Sequence, residues 1–157
     1  MCRGRGSVWD RQQKKRVNPI AIFQLIYTCA LTENVKSGDL EKIALTSRKR
    51  NLERGITGIL LCQDGSVLQV LEGDKAAVLE LYGKIASDPR VANALVLIQR
   101  TTTEREFPKW SMGFKNADQT DAAFKLCAKS FPDVLPDNPS PEVGTIGRTF
   151  ARVNGLA

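Results

Sequence analysis

The spacing of apolar positions changes several times along the chain, and each change marks an element. Residues 1–19 are polar and basic without any period, which predicts a disordered arm. From Ile20 the pattern alters: Ile22-Phe23-Gln24-Leu25-Ile26-Tyr27 is apolar on both alternating faces, as a buried strand is, with Tyr27 closing it. Leu31 to Lys36 read as a loop. Gly38-Asp39 then lead into a helix over about 39–53, whose stripe is Leu40, Ile43 and Ala44, followed by Ser47 and Asn51; Gly55 supplies the stop. Ile56 to Cys62 and Ser66 to Glu72 form a hairpin around Gln63-Asp64-Gly65, because Asp-Gly is a strong turn signal. A second helix is predicted over about 74–87, with Asp74 as N-cap and Val78, Leu81, Tyr82 and Ile85 inward; Pro89 ends it. Ala94 to Arg100 is a fourth strand, and Trp110 to Lys115 a short fifth one after Phe107-Pro108.

The resulting order, β-α-β-β-α-β, is the split βαβ or ferredoxin-like arrangement. It predicts an α+β fold with two helices on one face of an antiparallel sheet, plus the fifth strand and C-terminal helices. In the C-terminal part Asp118 to Lys129 can form a helix, Pro132 to Pro141 is Pro-rich, and Val143, Ile146, Phe150 and Val153 fall at helical spacing. Three segments follow: an arm over 1–19, a domain over 20–115 and a helical extension over 116–157.

Length and charge sharpen this picture. A chain of 157 residues, 42% apolar and 25% charged, is about one soluble domain. Its net charge of +6 invites a nucleic-acid reading, but residues 1–20 hold six basic side chains against one acidic, leaving +1 for the remainder. The basic character belongs to the tail. Histidine is absent, which removes Ser-His-Asp triads, Cys-His pairs and imidazole metal ligands. Cys2, Cys29, Cys62 and Cys127 lie 27, 33 and 65 residues apart without a CxxC unit, so no zinc site is expected. Residues 1–20 lack the apolar core of a signal peptide and no apolar run has membrane-spanning length, so the expected location is the cytoplasm.

Candidate chemistry comes from polar residues on faces that should be apolar. Tyr27 shares a face with Phe23 and Leu25. Gln69 points the same way as Val67 and Leu71, and a buried amide left unbonded there costs about 1–3 kcal/mol. Asn51 extends the inward stripe of the first helix. Lys84 and Asp88 stand one turn apart on the second helix, and Trp110 and Met112 share a face of the last strand. If these faces converge, the cleft holds a phenol, two carboxamides, an indole and a thioether. Such a set suits a flat heterocycle of alternating carbonyls and ring nitrogens better than a metal or a phosphate.

These residues resemble the BLUF family, blue-light sensors that use flavin adenine dinucleotide (FAD). The resemblance rests on Leu25-Ile26-Tyr27, on Ser47-Arg48-Lys49-Arg50-Asn51 leading to Gly55-Ile56-Thr57-Gly58, and on Leu68-Gln69-Val70-Leu71-Glu72-Gly73. Asp88-Pro89-Arg90, Arg105-Glu106-Phe107 and Trp110-Ser111-Met112 follow in the family's order, and the resemblance covers about residues 22–115. It implies a non-covalent FAD between the two helices above the sheet. By that likeness Gln69 lies between the Tyr27 hydroxyl and the flavin N5/O4 edge, and Asn51 pairs with O4 and N3. Lys84 and Asp88 match positions near the flavin or its ribityl-phosphate region. Trp110 and Met112 match last-strand residues that pass on the rearrangement of Gln69. Two departures stand out: Arg50, a cofactor-side position, replaces a common Asn, and Val91 replaces a common His.

The expected function is therefore a photoreceptor, not an enzyme, that signals by a light-driven Tyr27–Gln69–flavin rearrangement to a partner protein or sister subunits. A homo-oligomer is expected, because Ile22, Ile26, Leu68 and Val70 alternate onto the face opposite the flavin helices and need cover from the C-terminal helices, a sister subunit, or both. The alternative, a ferredoxin-like nucleic-acid-binding module, lacks the aromatics such modules carry on the open sheet face: residues 66–72 contain none. A flavin enzyme is a third reading, but the sequence has no Gly-rich dinucleotide loop and little room for a second substrate.

Overall fold

The hairpin is the most local commitment of the chain. Asp64 and Gly65 both take positive φ, 48° and 81°, the conformation whose twist matches two antiparallel strands. The computed structural model describes residues 21–35, 37–108 and 135–155. Within them run β1 (Ile22–Leu31), α1 (Ser37–Glu53), β2 (Thr57–Gln63), β3 (Ser66–Gly73), α2 (Lys75–Ala86), β4 (Val91–Thr102) and α3 (Pro141–Val153). The sheet order is β2-β3-β1-β4, with every neighbouring pair antiparallel. β3 thus lies between the parallel strands β1 and β2, and β1 between β3 and β4. Right-handed crossovers put α1 and α2 on one face of such a sheet. Arg54, in the turn after α1, reaches Glu80 of α2 at 2.8 Å.

Local chemistry fixes the element ends. Asp74 caps α2 by accepting from the Ala76 and Ala77 amides at 3.0 and 3.2 Å. Gly55, with φ 64°, stops α1. Gly58 is required by contact: a Cβ there would stand 1.9 Å from the Val70 carbonyl oxygen, so only glycine lets β2 close on β3.

Both strands flanking the site run longer than their apolar patterns suggest. β1 continues past Tyr27 to Leu31, so Tyr27 lies within the strand and not at its end. The extension pairs Thr28, Cys29 and Ala30 with Leu68, Val67 and Ser66, and the Thr28 hydroxyl donates to the Val67 carbonyl at 2.8 Å. β4 extends over both expected ends because β1 offers it partners from Leu31 opposite Val91 to Ile22 opposite Thr102. Two register shifts interrupt that pairing, and Asn93 absorbs one bend at φ 54°.

Two apolar clusters sandwich the sheet. Phe23, Leu25, Tyr27, Cys29, Val67 and Leu71 face the helices with Val78 of α2. Ile26, Ile59, Leu61, Leu68 and Val70 face the other way, against Phe107 and against Val143, Phe150 and Ala151 of α3. The C-terminal helix α3 therefore supplies cover of the kind expected for this face. It also buries the face that a ferredoxin-like nucleic-acid module leaves open. α3 forms despite its glycines, with Ser140 as N-cap and Pro141 in its first turn. Its inward stripe differs from the expected one. Val153 is 78% exposed, and Gly144, Gly147 and Ala151 join Val143 and Phe150 in burial, because at about 100° per residue Val153 has turned away from the side on which those residues lie. The fifth strand, the helix over 118–129 and the basic arm lie outside the described residues. Among the described residues no helix is long and apolar enough to cross a membrane.

Candidate functional site

The strand register brings the first two site residues together. Tyr27 of β1 and Gln69 of β3 are direct cross-strand partners on the helix-covered face, each 1% exposed. The Tyr27 hydroxyl donates to Gln69 Oε1. The acceptor end of the amide is thereby committed to the phenol, and its donor end is the opposite one. Burial holds the Tyr27 phenol far above its ordinary range, with smaller contributions from the Cys29 and Tyr82 positions, so it stays a neutral donor. Tyr82 of α2 meets the Tyr27 ring edge-on, with centroids 5.1 Å apart and planes at 64°.

Asn51 is the third member, and its environment is unusual. It stands in the last turn of α1, 1% exposed, and its backbone carbonyl accepts from the Ile56 amide at 2.8 Å. Both side-chain atoms, Nδ2 and Oδ1, are buried without a hydrogen-bond partner among the described residues. Each such orphan costs about 1–3 kcal/mol. A fold carries that cost where something else completes the bonds. The missing partner must offer one acceptor and one donor in a plane.

The remaining candidates sit elsewhere. Lys84 is exposed and pairs with Glu80 at 2.7 Å, as Arg54 does. Lys84 and Arg54 hold the Glu80 carboxyl down to about 2. Asp88 is clamped by Arg90, whose Nε, terminal nitrogen and backbone amide reach it at 2.9, 2.6 and 2.9 Å. Arg50 is exposed on α1, one residue from the inward-facing Asn51. None of these three joins the buried set. Trp110 and Met112 lie outside the described residues.

Sequence reasoning missed a second polar assembly on the opposite face. Gln24 and Glu72 are register partners three residues from Tyr27 and Gln69 on the same two strands, and both are fully buried. Gln24 Nε2 donates to Glu72 at 2.8 Å, and the Glu72 carboxylate also accepts the Glu106 and Phe107 amides at 2.9 and 3.0 Å. Arg100 donates to Gln24, Glu106 and Ser140, each at 2.7 Å, and pairs with Glu142 at 2.9 Å. The Ser140 amide in turn donates to Glu106 at 2.9 Å. This chain of bonds runs from the central strands to the first turn of α3. The signal was present: a glutamine inside an apolar strand run and a glutamate ending another are the same anomaly as Gln69.

The geometry agrees with what is known of other proteins. The sequence model of the BLUF family, "Sensors of blue-light using FAD", matches residues 22–113. The beta subunit of photoactivated adenylate cyclase from Euglena longa is 36% identical over 89 residues, which is 56% of this chain and 10% of that protein. The blue light- and temperature-regulated antirepressor BluF of Escherichia coli (strain K12) is 31% identical over 88 residues, 56% of this chain and 22% of its own length. The dark-state structure of BlrB, a BLUF protein, superposes with a TM-score of 0.60 at 33% identity, over 84% of this chain and 96% of that one. The chain belongs to the BLUF family of blue-light sensors, whose cofactor is FAD. It spans about a tenth of the length of the cyclase relatives it matches. The residues present fit a flavin: its pyrimidine edge alternates carbonyl acceptors with an N–H donor, the complement of the two orphaned atoms of Asn51.

Proposed function

We propose that this chain is a photoreceptor domain in which blue light exchanges the ends of the Gln69 amide, and that the consequence leaves through α3. The observation that carries the reading is the buried Tyr27–Gln69 hydrogen bond across neighbouring strands, beside an Asn51 whose side-chain polar atoms have no partner among the described residues. When bound, the flavin supplies light absorption and an excited state that is a strong oxidant. Asn51 holds its pyrimidine edge through paired donor and acceptor bonds. Tyr27 gives up an electron and then its hydroxyl proton, which Gln69 Oε1 is placed to receive. Electron and proton then return to Tyr27, with the amide rotated or tautomerised. An amide has chemically distinct ends, so the new arrangement is a different and metastable network. Nothing is turned over in this cycle.

The exit route follows the same two strands. A change at Gln69 and Tyr27 is carried along β3 and β1 to Glu72 and Gln24, then through Arg100 and Glu106 to Ser140 at the start of α3. Trp110 and Met112 are proposed as a parallel route along the last strand. Self-association is proposed at β4, where Leu95 and Leu97 remain exposed. The downstream partner is proposed to bind by contact, as a separate protein or as a further part of a longer chain. Tyr27→Phe tests the reading: the variant should retain flavin and lose the reversible red shift of the flavin band. A normal photocycle in that variant would sink the role given to Tyr27.

A further inference from the structure

The chain contains only two tyrosines, Tyr27 and Tyr82, and the fold puts their rings in contact. Tyr27 is buried and its hydroxyl is committed to Gln69. Tyr82 is half-buried, and among the described residues its hydroxyl makes no hydrogen bond. Sequence alone gives Tyr82 nothing beyond a place in the inward stripe of α2. An edge-to-face pair leaves the two π systems within van der Waals reach, so an electron can pass between them without an intermediary.

We propose that Tyr82 is a second oxidisable side chain in series with Tyr27, through which the light-made electron vacancy escapes the site. The step balances as follows. Tyr27 first loses one electron to the photoexcited flavin and one proton toward Gln69, as the proposed function requires. The Tyr27 radical then takes one electron from the Tyr82 ring and recovers its proton from Gln69. Tyr82 loses that electron and releases its phenolic proton to water. The net transfer is one electron from Tyr82 to the flavin and one proton from Tyr82 to solvent, with Tyr27 and Gln69 restored.

Solvent access gives the direction. An oxidised phenol is strongly acidic, and the vacancy settles where its proton can be lost to water. Tyr27 can hand its proton only to a buried amide, which favours return, whereas Tyr82 borders solvent. Cys29 lies two residues from Tyr27 on the same face, but burial pushes its thiol up to about 11. It stays protonated, the form that is the poorer electron donor. Tyr82 therefore sets how often excitation ends in a separated charge pair instead of the reversible rearrangement.

This inference rests on the role proposed for Tyr27, and one experiment separates the two. The flavin-loaded chain is illuminated continuously with blue light without oxygen, frozen, and examined by electron paramagnetic resonance, in parallel with absorbance of the reversible red shift. The wild-type chain should accumulate a tyrosyl signal that narrows when ring-deuterated tyrosine is incorporated. In Tyr82→Phe, which keeps the ring and so the packing, that signal should fall at least tenfold while the red shift persists. A tyrosyl signal undiminished in Tyr82→Phe, no tyrosyl signal in wild type, or an indole signal in its place overturns the inference. A red shift that survives Tyr27→Phe overturns the underlying reading instead.

Discussion

The two faces of the β1–β3 strand pair solve the problem of buried polar groups in opposite ways. On the outer face Gln24 and Glu72 are saturated: each bonds to charged groups or amides, and the network ends in the N-cap of α3. On the helix-covered face Tyr27 and Gln69 bond to each other, and among the described residues nothing bonds either side-chain polar atom of Asn51. The outer face is built from charges that hold segments of chain in place. The inner face is built from neutral groups whose donors and acceptors can be exchanged. A polar network that is complete within the protein ties segments of chain together and couples them, and one that is incomplete is where a ligand belongs.

Removing Glu72 should produce the largest effect on stability. Glu72→Ala strands the Gln24 amide and the Glu106 and Phe107 backbone amides inside the protein. It should cost about 3–5 kcal/mol in chemical denaturation, with Glu72→Gln costing less because it keeps one acceptor. A loss below about 1 kcal/mol for the alanine variant would mean that the outer face is not the scaffold.

Asn51→Leu should separate stability from binding. Leucine is of similar size and removes two orphaned polar atoms, so the flavin-free protein should gain about 1–2 kcal/mol. FAD affinity, followed by quenching of flavin fluorescence, should fall about tenfold, equivalent to about 1.4 kcal/mol. A variant that lost stability without losing affinity would make Asn51 a structural residue like Gln24.

The smallest effects should come from pH, and the two faces should respond at opposite ends of the scale. Cys29 on the inner face is raised from 9.0 to about 11 by burial, and then by Cys62. Its contribution is complete below pH 9 and is lost as pH rises toward 11. Glu142 on the outer face is lowered from 4.5 by the amide at the start of α3, and then by Arg100. Its contribution is present above 4.5 and is lost as pH falls. Hydrogen exchange should show α3 loosening first in acid, and the β1–β3 core weakening first in alkali. The reverse order would contradict the division.

The strand and helix pattern, the hairpin, both helix caps around Asp74 and Gly55, and the inward turn of Tyr27, Gln69 and Asn51 were legible from period and turn chemistry alone. Those features are local. The length of β4 and the continuation of β1 past Tyr27 were not, because they depend on which partner a strand finds. The outer network was hidden for a related reason. Gln24 and Glu72 lie 48 residues apart, and neither shows from its own neighbours that the other will satisfy it. Lys84 and Asp88 show the same dependence on context. Helical spacing puts them one turn apart on the second helix, but α2 ends at Ala86 and Asp88 lies past its cap, so each meets an exposed partner of its own, Glu80 for Lys84 and Arg90 for Asp88.

The sharpest single test is the light-minus-dark absorbance spectrum of Gln69→Leu, recorded beside wild type with the flavin-to-protein ratio measured on the same samples. Leucine keeps the volume of the side chain and removes both ends of the amide. The wild-type protein should show a reversible red shift of the flavin band, and the variant should bind flavin in the same ratio and show none. A Gln69→Leu protein that binds flavin and still shifts like wild type would mean that exchange of the amide ends is not how this chain senses light.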